Sequence, residues 1–178
     1  MGSVPSSGSW MESGREAGLV LSAQQGSVES YWELMQHYGR PLYRMAFALT
    51  RDREQARRIA GDAFVQGWTT LRHFPIGRPL LPWLLRSVRA LVVAQRRRGA
   101  ADAGAGRALR GRAAVFDAAF SELSIDEQIL LVLSVVERLP HGAIGLTLEV
   151  PPHRALSRLS AAQEHLRSRV AARQGGDA

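Results

Sequence analysis

The chain has 178 residues, 23 basic and 16 acidic, for a formal charge of +7 and a sequence pI near 11.2. All 23 basic residues are arginine, and lysine, asparagine and cysteine are absent, which excludes a disulfide scaffold and any thiolate zinc site. No apolar run approaches the ~20 residues that span a bilayer, and the first residues lack the charged start and apolar core of a signal peptide. No membrane insertion is expected, and a cytoplasmic location is. The missing lysine and asparagine, beside abundant Ala, Gly and Arg, fit the codon bias of a GC-rich genome. Arginine in place of lysine is therefore uninformative, and the position of the charge matters more.

Residues 1–27, rich in Ser and Gly, are expected to be a flexible tail. Ser30 with Glu33 reads as a capping box ahead of YWELMQHYG. Pro41 then opens a second helical stretch with Leu42, Met45, Ala46 and Leu49 on one face. Asp52 with Gln55 is the next cap signal. Behind it Ala56, Ile59, Ala60, Ala63, Phe64, Gly67, Trp68 and Leu71 recur as an amphipathic stripe. Residues 74–82 break the helix with three prolines and a glycine. From Trp83 a further helix turns Leu84, Leu85, Val88, Leu91 and Val92 to a core. Arg86, Arg89, Val93 and Arg97 run up its other side.

Residues 99–114 hold 4 Gly and 7 Ala among 16 and read as a flexible linker. A second block opens with a helix over 115–123. Ser124 with Glu127 caps a helix through ILLVLSVVER that Pro140 ends. A short helix over 142–148, a turn at Val150-Pro151-Pro152 and a long helix over 153–173 follow, which is helix-turn-helix order. The expected fold is all-α, with two small helical domains, 28–98 and 115–173, joined by the linker and followed by a short tail, 174–178. Each block is near the lower size limit for an independent core, so mutual packing would help both.

Charge divides along the same boundaries. Residues 31–98 hold 13 Arg against four acids, a net of +9, and residues 99–115 add +2. Residues 1–30 and 116–178 each carry −2. An enzyme is not expected, because no Gly-rich phosphate loop, nucleophile elbow or paired carboxylate motif occurs. His37, His73, His141, His153 and His165 show no ligand spacing, so neither a metal nor a cofactor is expected.

Over residues 28–170 the chain resembles the extracytoplasmic-function (ECF) sigma factors, the minimal bacterial sigma factors built from regions 2 and 4. LYRMAFALTRDREQARRIAGDAFVQGWTTLRHF, residues 42–74, matches the region 2 pattern without gaps, as does RPLLPWLLRSVRALVVAQRRR, residues 78–98. In residues 139–166, Ile144, Val150, Pro151, Ser157 and Arg158 agree with region 4. The resemblance implies a sigma region 2 helical bundle, a region 4 helix-turn-helix, and promoter-specific transcription initiation.

Its partners would be core RNA polymerase, promoter DNA and an anti-sigma protein. The polymerase-binding residues would be Asp62, Phe64, Gln66 and Trp68. Phe64 and Trp68 are read equally well as plain core residues, and Trp83 as core. DNA contacts would come from Arg86, Arg89, Arg96, Arg97 and Arg98 at the −10 element, and from Arg154, Ser157 and Arg158 at the −35 element. The chain departs from the family at Arg58, Gly61, Ala90 and Ala94. The last two stand where the family carries Asn and Asp, and an alanine has no group with which to read a base. The alternative reading is a sigma-like adaptor that binds polymerase or an anti-sigma protein without recognising promoters.

Overall fold

A computed structural model describes residues 11–98 and 112–175. The described residues form helices and no strand. An N-terminal bundle holds α1 (Ser13–Gln24), α2 (Val28–Thr50), α3 (Arg53–Thr70) and α4 (Leu80–Arg98), with a 3-10 turn at Leu71–His73. A C-terminal bundle holds α5 (Arg112–Ser121), α6 (Ile125–Leu131), α7 (His141–Leu148) and α8 (Pro152–Gly175). Most of the expected linker, and the tails at 1–10 and 176–178, lie outside the described residues.

Residues 13–24, expected within the flexible tail, form α1 instead. Glu16, Val20 and Ala23 fall on one face and are buried against α2. The anchor is polar: Glu16 Oε1 accepts the backbone N–H of Leu80 at 2.8 Å, and its second oxygen accepts the Tyr38 hydroxyl. A carboxylate from α1 thus satisfies an orphan donor at the start of α4, where the helix dipole favours negative charge. Burial, reinforced by Glu16, pushes the Tyr38 phenol above its ordinary range and keeps it a neutral donor. Gln24 ties the other end of α1 down, donating to the carbonyls of Leu71 at 2.9 Å and Phe74 at 2.7 Å.

The expected break at Pro41 does not occur, and α2 runs through it. A proline inside a helix costs about 3 kcal/mol. Tyr38, Pro41, Leu42 and Met45 are all buried on the same stretch, and packing of that face outweighs the lost hydrogen bond. The cap also differs from the expected Ser30–Glu33 box. Ser27 accepts the Ser30 N–H at 3.2 Å, so α2 starts earlier. At α3, Asp52 Oδ1 accepts the Gln55 N–H at 2.9 Å, as the cap signal predicts. Gly67 lets α3 cross α2 and α4 closely, because a Cβ there would stand 2.7 Å from the Tyr31 hydroxyl. α4 begins at Leu80, ahead of the expected Trp83, since Pro82 sits in a first turn that needs no intrahelical N–H.

In the C-terminal bundle Ser124 and Glu127 form the predicted reciprocal box, with bonds of 3.3 and 2.8 Å. The helix it starts is shorter than expected. α6 passes into a π-helical turn, Val132–Val136, and Arg138 then adopts a left-handed φ of 52°. The buried Gln128 amide braces the α5–α6 turn, donating to the carbonyls of Phe120 at 3.0 Å and Leu123 at 2.9 Å. Between α7 and α8 the turn is tight. The Val150 N–H bonds the Gly145 carbonyl at 2.9 Å, and a Cβ on Gly145 would meet the Val150 oxygen at 2.7 Å. Only glycine fits there. The two bundles share one continuous apolar cluster, with α4 against α7 and α2 against α6 and the π turn.

Candidate nucleic-acid and protein interfaces

The first candidate surface lies between α2 and α3. Of the stripe predicted for α3, Ala56, Ile59, Ala60, Ala63, Phe64, Gly67 and Leu71 are buried but Trp68 is not, and it turns outward with Asp62, Val65 and Gln66. Phe64 itself is a core residue, 5 % exposed and edge-on to Tyr31. Trp68 is 38 % exposed and lies 4.8 Å from the Tyr31 ring. The Tyr31 hydroxyl donates to the Phe64 carbonyl at 2.5 Å, and burial pushes its ionisation well above the ordinary phenol range. These side chains leave an apolar groove of about 320 Å³, lined by Val28, Tyr31, Met35, Phe64, Val65 and Trp68.

On α2, Trp32 is 57 % exposed and Val28, part of the groove lining, is 64 % exposed. Neither was singled out from the sequence. The available signal was phase: Tyr31, Leu34 and Tyr38 fix the buried face of α2, so Trp32 must fall outside it. Exposed apolar groups around a groove, with Asp62 and Gln66 exposed on the same helix, have the anatomy of a protein-docking patch.

The second surface is the arginine face of α4, which is not one continuous solvated ridge. Arg86 Nη2 lies 2.6 Å from Glu149 Oε1 in the α7–α8 turn. Arg89 bonds both oxygens of Asp126, at 3.1 and 3.4 Å. Arg96 donates at 2.8 Å to the Leu49 carbonyl and at 2.8 Å to the Gln128 side chain, and burial lowers its proton affinity. Arg97 and Arg98 are exposed and make no ion pair among the described residues. Beside this face opens a cleft of about 590 Å³, whose lining includes Thr69, Thr70, His73, Phe74, Trp83 and Ser87. Gln66, Pro75, Arg86, Arg89, Ala90 and Glu149 complete its lining.

The third surface is the start of α8. Arg154, Ser157 and Arg158 are all exposed on one face, turned away from the buried Ala155, Leu159 and Ala162. Neither arginine is ion-paired among the described residues, and the Ser157 hydroxyl donates to the Arg154 carbonyl at 3.2 Å. The geometry suits a major groove, which admits a helix and offers guanine O6 and N7 to arginine. Among the described residues no group of His, Asp or Glu is arranged to hold a metal, and no helix is long and apolar enough to cross a membrane.

No protein-family model and no curated protein matches the chain. Solved structures do. A structure of CnrH in complex with the cytosolic domain of CnrY superposes with a TM-score of 0.69 at 19% identity, covering 92% of this chain and 99% of the other. The sigma factor RpoE from Bartonella quintana, solved with the anti-sigma factor NepR, gives a TM-score of 0.65 at 20% identity, covering 81% and 98%. Both matches cover most of this chain and nearly all of the other, so the shared fold runs through both bundles. The chain has the all-α, two-bundle fold of the extracytoplasmic-function sigma factors.

Proposed function

We propose that this chain is an ECF-type sigma factor, a cytoplasmic non-enzymatic protein that binds core RNA polymerase and directs it to promoters. The observation that carries the reading is the apolar groove on α2 and α3, with Phe64 and Trp68 in its lining and Asp62 and Gln66 exposed on the same helix. These are the positions at which the family docks polymerase, and they lie on a fold shared along the chain. Phe64 acts there as the floor of the groove rather than as an inserted anchor. Trp68 and Val65 supply the apolar contact, and Asp62 and Gln66, exposed on the same helix, the polar one.

Promoter DNA would meet the chain at two places. The cleft beside α4 combines hydroxyls from Thr69, Thr70 and Ser87 with the Trp83 ring, a setting suited to one unstacked base. It offers these groups in place of the ones that Ala90 and Ala94 lack. Arg154 and Arg158 would read the major groove through α8. An anti-sigma protein belongs to the same reading, since RpoE was captured with one.

The test mixes the purified chain with core polymerase and a library of promoter fragments. Specific run-off transcripts are expected, together with loss of polymerase binding in Trp68→Ala. Absence of polymerase binding would overturn the proposal. One observation favours the adaptor as a second reading: three of the α4 arginines are already engaged within the chain. Stable polymerase binding without transcripts would select it.

A further inference from the structure

Several polar side chains reach across the fold to satisfy the end of a helix or turn. Glu16 meets the first N–H of α4, and Gln128 meets carbonyls at the α5–α6 turn. Arg44 on α2 donates at 2.7 Å to the Val136 carbonyl at the end of the π turn, and lies 3.1 Å from Glu137, whose side chain is fully buried. Arg51, at the C-cap of α2, pairs with Asp117 at 2.8 Å.

Tyr31 differs from all of these. Its buried hydroxyl donates to the carbonyl of Phe64, in the interior of α3. A carbonyl there already has a helical partner four residues on, which is the N–H of Trp68. That N–H also lies within reach of the Tyr31 oxygen, where it offsets part of the effect of burial. The hydroxyl thus rests on the one rung of α3 from which the Trp68 side chain springs. Gly67 keeps this place open, because a Cβ there would crowd both the hydroxyl and, at 3.1 Å, a Leu84 methyl.

A phenylalanine at position 31 would fill the same volume and present the same ring to Trp68. The oxygen therefore adds little to packing, and its burial costs about what its hydrogen bonds return. What it adds is direction. Apolar contact is non-directional, whereas a hydrogen bond weakens steeply as its angle departs from linear. The bond fixes the depth and tilt of the Tyr31 ring, and the half-exposed Trp68 indole leans on that ring.

We infer that Tyr31 is a positioning residue for docking: its hydroxyl, seated on the Phe64–Trp68 rung, holds the Trp68 indole in its binding pose before a partner arrives. The inference rests on the reading of the α2–α3 groove as the surface that meets core polymerase. An indole held in advance does not have to be ordered on binding, and ordering one side chain weakens association by about fivefold.

Tyr31→Phe deletes the oxygen alone. Tyr38→Phe makes the same deletion two turns along α2, where the hydroxyl serves Glu16 and lies outside the groove lining. Each full-length chain is prepared with 5-fluorotryptophan at its four tryptophans, and the Trp68 fluorine resonance is identified by its loss in Trp68→Phe. Affinity for purified core polymerase and thermal unfolding are measured on the same samples. Tyr31→Phe should stay folded, shift and broaden the Trp68 resonance, and bind polymerase about fivefold more weakly. Tyr38→Phe should lower the unfolding temperature at least as much, yet leave the Trp68 resonance and the polymerase affinity unchanged.

An unmoved Trp68 resonance, or wild-type affinity in Tyr31→Phe, would overturn the inference while the docking surface stands. Equal weakening by both variants would also overturn it, since the loss would then track stability rather than pose. Failure of the unaltered chain to bind polymerase would remove the docking reading, and this inference with it, whatever the resonance does.

Discussion

The two bundles have the same number of described helices and very different means of support. Of the twelve largest fully buried side chains, nine belong to α2, α4 and the 3-10 turn after α3, and only Ile129, Leu130 and Leu133 belong to the C-terminal bundle. The N-terminal bundle is held by packing between long helices. The C-terminal bundle has two helices of seven and eight residues, below the length at which a helix holds in isolation. It is completed by a buried amide, a capping box and arginines that reach in from its neighbour. One bundle is therefore self-sufficient, and the other is conditional on it.

The largest test of this contrast is Arg44→Ala. Removing the half-exposed Arg44 takes one partner from the buried Glu137, which costs at most about 3 kcal/mol, unless the bundles separate first and let Glu137 reach water. Urea unfolding should show a loss of that size or a new early transition confined to the C-terminal bundle. A single unshifted transition would mean that the bundles do not depend on this pair. Gly145→Ala comes next. The added methyl meets a backbone oxygen that cannot rotate away, and overpacking of this kind costs about 2 kcal/mol. DNA binding by α8 should fall with it, because the turn sets the angle of that helix.

Cap deletions sharpen the comparison at a smaller scale. Asp52→Ala and Ser124→Ala each remove one side-chain cap, worth about 1 kcal/mol. Native-state hydrogen exchange should spread the first loss over the N-terminal bundle and confine the second to α5–α8. Equal spreading would show one cooperative unit rather than two.

Acid should produce the smallest effect. Hydrogen bonding to Ser124, and then to His165, holds the Glu127 carboxyl below its ordinary value, and Arg173 and Arg169 do the same for Glu122. A depressed carboxylate stabilises fully above its unfolded value near 4.5, and that stability is lost as the pH falls through the lower folded value. Both groups lie in the C-terminal bundle, which has no tryptophan. Below pH 4.5 helical circular dichroism should therefore decline before tryptophan fluorescence changes.

Features settled within a few residues were legible in the sequence. Asp52 with Gln55 and Ser124 with Glu127 are local hydrogen bonds, and both form. The α3 stripe and the helix-turn-helix order likewise follow from spacing and breakers. What escaped was decided across the fold. Pro41 is carried through α2 by packing against other helices, and α1 is recruited by Glu16 reaching a residue 64 positions away. At the candidate sites, exposure of Asp62, Gln66, Arg154 and Arg158 follows from helical phase. The engagement of Arg86 by Glu149 and of Arg89 by Asp126 does not, because separations of 63 and 37 residues leave no periodic trace.

The hydrogen bond from Arg44 to the Val136 carbonyl also bears on how the protein is made. A ribosome releases the N-terminal bundle first, and domains generally fold as units in the order they emerge. The end of the π turn then finds its donor already in place on α2. The first half of the chain is in this sense a template for the second, and synthesis in the opposite order would leave the Val136 carbonyl without this donor until α2 arrived.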